Sequence, residues 1–242
     1  MRVFLHGFTG GPGSFDPLRA LAPDADTHAP WLLGHGRPAQ AGAATWDAEI
    51  DRLLATLDPS GRGGLDLVGY SLGARVAAGL VARHPEQVRR AVLVGPNLGL
   101  SPAERPARAR WEASLCGRLR SDGVRAFVDH WEQLPLWESQ HRVPPDRLAA
   151  QRAQRLTHTA EGLARSLEVM GLSRMPPLWE TLRQAAEAVP LRIVVGADDR
   201  KFLDLTAPLV GAPGIQRVVV PNAGHNVVLE APEALAEVLR WR

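Results

Sequence analysis

The stretch Asp66–Gly79, DLVGYSLGARVAAG, decides how this chain is read. Its first part, LDLVGY over 65–70, is apolar and nearly continuous, the pattern of a strand buried on both faces. Its second part predicts a helix over 72–84. Between them stands Gly69-Tyr70-Ser71-Leu72-Gly73, a G-x-S-x-G pentapeptide. Between a strand and a helix, that spacing makes a sharp turn with small flanking residues, because larger side chains would strike the neighbouring strand or helix. The turn leaves the Ser71 hydroxyl pointing out above the sheet, beside the positive end of the helix dipole. One helical turn further on, Arg75 puts a charge into a helix that should be buried.

Similar apolar runs recur at 2–6, 91–95, 191–196 and 216–221, with a weaker candidate near 26–33. Helix-like segments at 46–57, 203–210 and 232–241 lie between them. This alternation predicts an α/β fold, a mostly parallel sheet flanked by helices. The rhythm breaks between 97 and 188. That stretch has no good strand, and Phe127, Val128 and Trp131 fall at helical spacing. It predicts a helical cap over 97–188, inserted into a core made of 1–96 and 189–242. The insertion begins where a strand ends, at the sheet edge where α/β folds bind ligands.

Composition narrows the classes. At 242 residues the chain suits one large domain, or one domain with an insertion. No window approaches about eighteen uninterrupted apolar residues, which predicts no membrane span. The start, MRVFLHGFTG, lacks the apolar region and cleavage site of a signal peptide, so a cytoplasmic location is expected. Cys116 is the only cysteine, which excludes an internal disulfide and a cysteine-based metal site. The net charge is only +2, and no basic run alternates with aromatics, which argues against nucleic acid as a partner. Of 28 basic side chains, Lys201 alone is lysine.

A serine hydroxyl becomes reactive when a neighbour takes its proton. His225, in NAGHNVVLEAP, follows the last predicted strand and suits the order Ser…Asp/Glu…His. The orienting acid should follow the preceding strand, where VVGADDRKF offers Asp198 and Asp199; spacing does not choose between them. Two backbone N–H groups should face the charge that develops. One belongs to Leu72, the residue after the serine. The other belongs to Phe8, in the loop LHGFTGGPG.

Taken together, LHGFTG, GHGRP, GYSLGAR, GADDRKF and AGHNVVLE resemble the α/β-hydrolase superfamily. Within it they look most like the MenH family of menaquinone-pathway enzymes, the 2-succinyl-6-hydroxy-2,4-cyclohexadiene-1-carboxylate synthases. The resemblance covers nearly the whole chain, and NLGLSPAERPARARWE and FVDHWEQLPLW look like that family's cap motifs. It implies a triad of Ser71, Asp199 and His225, selecting Asp199 because the family's acid lies two residues before the Lys-Phe pair. It implies that Arg75, Arg108, Trp131, Arg155 and Lys201 bind substrate. It further implies a small polycarboxylate substrate, elimination of pyruvate, and no metal or organic cofactor. An ordinary esterase has little use for a buried cation near its serine, whereas carboxylates pair with Arg in bidentate fashion.

The chain departs from the family pattern in three places, the smallest being Ala74 before Arg75, where Gly-Arg is usual. Trp31-Leu32-Leu33 stands where Asp-Leu-Pro is usual, which puts a bulky group near the expected site entrance. The chain also starts almost at the strand leading to the Phe8 loop, so the superfamily's first two strands are expected to be missing. Two other readings compete. A serine hydrolase would use the same residues through an acyl-enzyme or a water attack. A non-catalytic binding protein would have no need of an intact triad.

Overall fold

The structure is a computed structural model and describes residues 1–21, 26–58 and 60–240. In chain order its elements are β1 (Arg2–Leu5), α1 (Asp16–Leu21), β2 (Thr27–His28), α2 (Trp46–Leu57), β3 (Leu65–Tyr70), α3 (Leu72–Arg83) and β4 (Val88–Val94). After these come α4 (Arg105–Trp131), α5 (Pro145–Arg155), α6 (Ala160–Met170) and α7 (Trp179–Ala185). The chain then returns through β5 (Leu191–Gly196), α8 (Arg200–Thr206), β6 (Ile215–Val220), α9 (Val227–Glu230) and α10 (Pro232–Val238). A 3-10 stretch, Pro135–Arg142, joins α4 to α5. Trp241, included in the expected last helix, lies outside the described residues. No helix among the described residues is long and apolar enough to cross a membrane.

The strands form one six-stranded sheet in the order β2-β1-β3-β4-β5-β6, and every pairing is parallel. Both faces are covered, which explains the nearly unbroken apolar runs. Side chains alternate across the sheet. Val3, Leu5, Leu67 and Leu93 join the core under α2, α3 and α7. Phe4, Val68, Val92 and Val194 join the opposite core, with Phe15, Val227 and Leu235. Ala74, Ala77 and Ala78 are buried, so α3 lies close against the strands. Asp66 is buried at the opposite end of β3, where the Arg89 and Arg90 guanidinium groups hold its carboxylate at 2.6 Å.

The weak strand candidate near 26–33 shrinks to Thr27–His28, an edge strand paired only through Arg2 and Val3. The helix expected over 203–210 begins earlier, at Arg200, because the Asp199 side chain accepts the Phe202 N–H and caps it.

Between β4 and β5 the chain is helical. Helix α4 changes direction at Gly123, where φ is 80°. Leu115, Leu119, Phe127, Val128, Leu163 and Ala164 give α4 and α6 an apolar core of their own, against which Phe8 packs from the sheet side. Helix α7 rests on the sheet side, with Leu182 in the same core as Leu80 and Leu93.

Chain order reverses between β1 and β3, whose following loops diverge and open a crevice at the carboxyl ends of the strands. The turn after β3 depends on close backbone approach. A Cβ on Gly73 would lie 1.8 Å from the Leu5 carbonyl oxygen, and one on Gly69 would lie 2.2 Å from the Gly73 oxygen. Gly73→Ala is therefore expected to push α3 away from β1 and destabilise the fold by about 3 kcal/mol. Denaturant unfolding measures this, and an unchanged midpoint would refute the packing argument.

Candidate active site

Ser71 occupies the apex of that turn, with φ 51° and ψ −105°. This is a strained conformation for a residue with a side chain, costing on the order of 1–3 kcal/mol. The Ser71 N–H donates to the Val94 carbonyl at 2.8 Å and ties the turn to β4. The Ser71 hydroxyl lies 3.0 Å from His225 Nε2, and His225 Nδ1 lies 2.8 Å from Asp199 Oδ2. A carboxylate can only accept, so Nδ1 carries the proton and Nε2 is free to receive one from the serine. Both His225 and Asp199 are buried. The neighbouring Asp198 faces solvent and pairs with Arg142 of the 3-10 stretch.

Leu72 is the first residue of α3, so its N–H has no carbonyl one turn back within the helix. Phe8 follows β1 across the crevice. Phe8, Ser71, Leu72 and His225 all line one cavity of about 800 Å³, open mouth included. Arg75, Arg108, Trp131 and Lys201 line the same cavity. Trp111, Trp137 and Tyr70 do so as well; all three lie inside the motifs that carry the resemblance, but none was singled out there as a site residue. Tyr70 was legible only as the residue before the serine. Trp111 and Trp137 become visible once α4 and the 3-10 stretch fold over the sheet.

The cations are held in place. Arg75 donates to the Met170 carbonyl at 2.7 Å. Burial, and then the like charge of Arg108, push its guanidinium down to about 9, so it stays charged at neutral pH. Arg108 donates through Nε to Glu112 at 2.7 Å and stacks on Trp111, with 4.3 Å from Cζ to the ring centroid. Glu112 is buried and also accepts the Leu172 N–H at 2.7 Å. Burial opposes its charge, but Arg108 and the Ser173 hydroxyl outweigh burial and hold its carboxyl below the ordinary value.

Arg155 is placed differently. It lines a neighbouring chamber with Ser14, Arg147 and Asn226, and it pairs with Glu132 at 2.9 Å. Phe8, Tyr70 and Trp137 line both chambers. Tyr70 Oη is buried and has no hydrogen-bond partner among the described residues. Trp31 is not among the residues that line either chamber. Its ring lies against Gly11, and it meets His158 edge-on at 5.8 Å. No group of three or more His, Cys, Asp and Glu among the described residues could hold a metal ion.

Residues 3–238 match the profile of the alpha/beta hydrolase family. The chain belongs to that family. Among its alpha/beta hydrolase relatives, a 2-succinyl-6-hydroxy-2,4-cyclohexadiene-1-carboxylate synthase from Enterobacter sp. (strain 638) is 34% identical over 246 residues, covering 99% of this chain and 92% of that protein. The solved structure of MenH from S. aureus superposes with a TM-score of 0.91 at 25% identity, covering 98% of this chain and 91% of that one. A thermophilic esterase from Thermogutta terrifontis, solved with malate bound, superposes with a TM-score of 0.80 at 25% identity, covering 99% and 87%. The hydrolase fold thus carries both chemistries.

Glu112→Gln is expected to destabilise the protein by about 2–3 kcal/mol at neutral pH, since charge-assisted hydrogen bonds are lost. The folded-state pKa of Glu112 is depressed, so its contribution is present above 4.5 and is lost as pH falls through the lower folded value. Thermal unfolding of both proteins across pH should show the gap closing in acid, and a gap independent of pH would contradict it.

Proposed function

We propose that this alpha/beta hydrolase is a 2-succinyl-6-hydroxy-2,4-cyclohexadiene-1-carboxylate synthase. The observation that carries the reading is the meeting of the Ser71–His225–Asp199 chain with Arg75, Arg108 and Lys201 in one cavity. The names of its relatives support it. The substrate is a succinyl-cyclohexene carboxylate bearing an enolpyruvyl ether. Arg75 and Arg108 pair with its carboxylates, and the compact charge of Lys201 closes the other side. Arg155 and Tyr70 serve the carboxylate end that reaches into the neighbouring chamber. Trp131 gives the ring an apolar wall. Residues 97–188 act as the cap, and 1–96 with 189–242 form the core.

The reaction is a base-promoted elimination. His225 Nε2 takes the Ser71 proton while Asp199 orients the ring and balances its charge. The Ser71 oxygen then removes a proton from a ring carbon, and the electrons delocalise onto the succinyl carbonyl. The Phe8 and Leu72 N–H groups hold that oxyanion, worth about 3 kcal/mol per donor. The electrons return to form the diene and expel the enolpyruvate oxygen, which takes a proton and becomes pyruvate. No bond forms between Ser71 and substrate.

The decisive experiment is pyruvate release from the cyclohexene precursor. It should proceed without solvent ¹⁸O entering a product carboxylate and without a covalent adduct on Ser71 in quenched-flow mass measurements. An acyl-enzyme, or ¹⁸O in a newly formed carboxylate, would establish a serine hydrolase instead. In the same assay Asp199→Asn should lower kcat about 10⁴-fold through the wrong imidazole tautomer. Asp198→Asn should stay close to wild type; equal losses would move the triad acid. Arg75→Ala should cost about 2–4 kcal/mol in kcat/KM while sparing hydrolysis of a small neutral ester. Equal losses on both substrates would make Arg75 a support for the turn.

A further inference from the structure

The loop that carries Phe8 is held by buried imidazoles. Thr9, the next residue, has φ of 64°, a region that β-branched residues avoid. Its hydroxyl donates to the Phe8 carbonyl at 2.6 Å. Both of its own backbone groups are bound by histidines from distant parts of the chain. The Thr9 N–H donates to His35 Nε2 at 3.1 Å, and the Thr9 carbonyl accepts from His158 Nε2 at 3.0 Å. The remaining nitrogens have fixed partners too. His35 Nδ1 donates to the Leu33 carbonyl at 3.0 Å, and His158 Nδ1 accepts the Gly36 N–H at 3.0 Å. The two rings therefore need opposite tautomers, Nδ1–H on His35 and Nε2–H on His158. They meet edge to face at 5.2 Å, and both are buried.

His158 lies between α5 and α6, in the helical segment between β4 and β5. His35 follows β2. The left-handed Thr9 peptide is thus gripped from both sides, and one grip comes from the helical segment.

We propose that His158, opposed by His35, is a positioning residue for the oxyanion hole. Its Nε2–H holds the Thr9 carbonyl, which fixes the Phe8–Thr9 segment and aims the Phe8 N–H at the site of developing charge. The hole is then complete only while the helical segment is seated on the sheet. This rests on the reading of Phe8 as an oxyanion donor.

Glutamine and asparagine separate the two nitrogens of His158. In His158→Gln the side-chain amide reaches the Nε2 position and can donate to Thr9. In His158→Asn the carbonyl oxygen replaces Nδ1, keeping Gly36 but releasing Thr9. We expect His158→Asn and His158→Phe to lower kcat for pyruvate release roughly 10- to 100-fold, short of the loss of a donor, with KM within about twofold. His158→Gln should restore most of kcat. Equal kcat in the Gln and Asn variants, or a loss confined to KM, would overturn the proposal. If the wild type releases no pyruvate, the same comparison on a nitrophenyl ester tests the clamp apart from the elimination reading, because an acyl-transfer oxyanion uses the same donors. Ring ¹⁵N spectra of the folded wild type give a check independent of turnover. They should show Nε2–H on His158 and Nδ1–H on His35, and the reverse pair would also overturn it.

Discussion

Contact between two backbones underlies the whole site. Helix α3 lies so close to β1 that nothing larger than hydrogen fits between Gly73 and the Leu5 carbonyl. That approach turns the chain sharply at Ser71 and forces the serine into its positive φ. Once the turn is set, the hydroxyl lies within reach of His225, and Leu72, the first residue of α3, lines the same cavity. The loops after β5 and β6 supply Asp199 and His225, because adjacent parallel strands bring their carboxyl ends to the same edge. The folded core holds the strain at Ser71 in place.

A second constraint is electrostatic. Two guanidinium groups share one cavity and repel each other. The chain offsets this with Glu112, whose carboxylate is held by Arg108, the Leu172 N–H and the Ser173 hydroxyl. Glu112 offsets only part of the positive charge that Arg75, Arg108 and Lys201 bring to the cavity. That residual charge is what an anionic ligand would neutralise.

Much of this was legible in the sequence because its causes are local. The runs at 65–70 and 191–196 and the helix at 46–57 fold with those bounds, since apolar periodicity and turn residues delimit them. The edge strand β2 was the weakest signal because it pairs through two residues only. Ser71 and His225 were recognisable by their position after strands. Asp198 and Asp199 were equivalent by spacing, and only the cap geometry of α8 turns one inward and the other to solvent. Arg155 carried a family pattern yet lies in the adjoining chamber, because Glu132 and Trp137 draw its guanidinium there. His158 had no motif at all. Its partner is 149 residues away, and no local pattern encodes such a contact.

The separate apolar core of α4 and α6 has a consequence for how this molecule can change. Residues such as Leu115, Leu119 and Leu163 bury one another and leave the sheet's packing untouched. Substitutions there can reshape the roof of the cavity while the turn at Ser71 keeps its geometry. Such changes would alter the walls that α4 and α6 give the pocket, Trp111, Trp131 and Leu167 among them, while Val169 and Met170 at the end of α6 stay anchored in the core on the sheet. Two contacts join that segment to the loop after β1, the His158 ring at the Thr9 carbonyl and the Trp131 ring edge-on to Phe8, so a change that spares both leaves the loop's anchors in place.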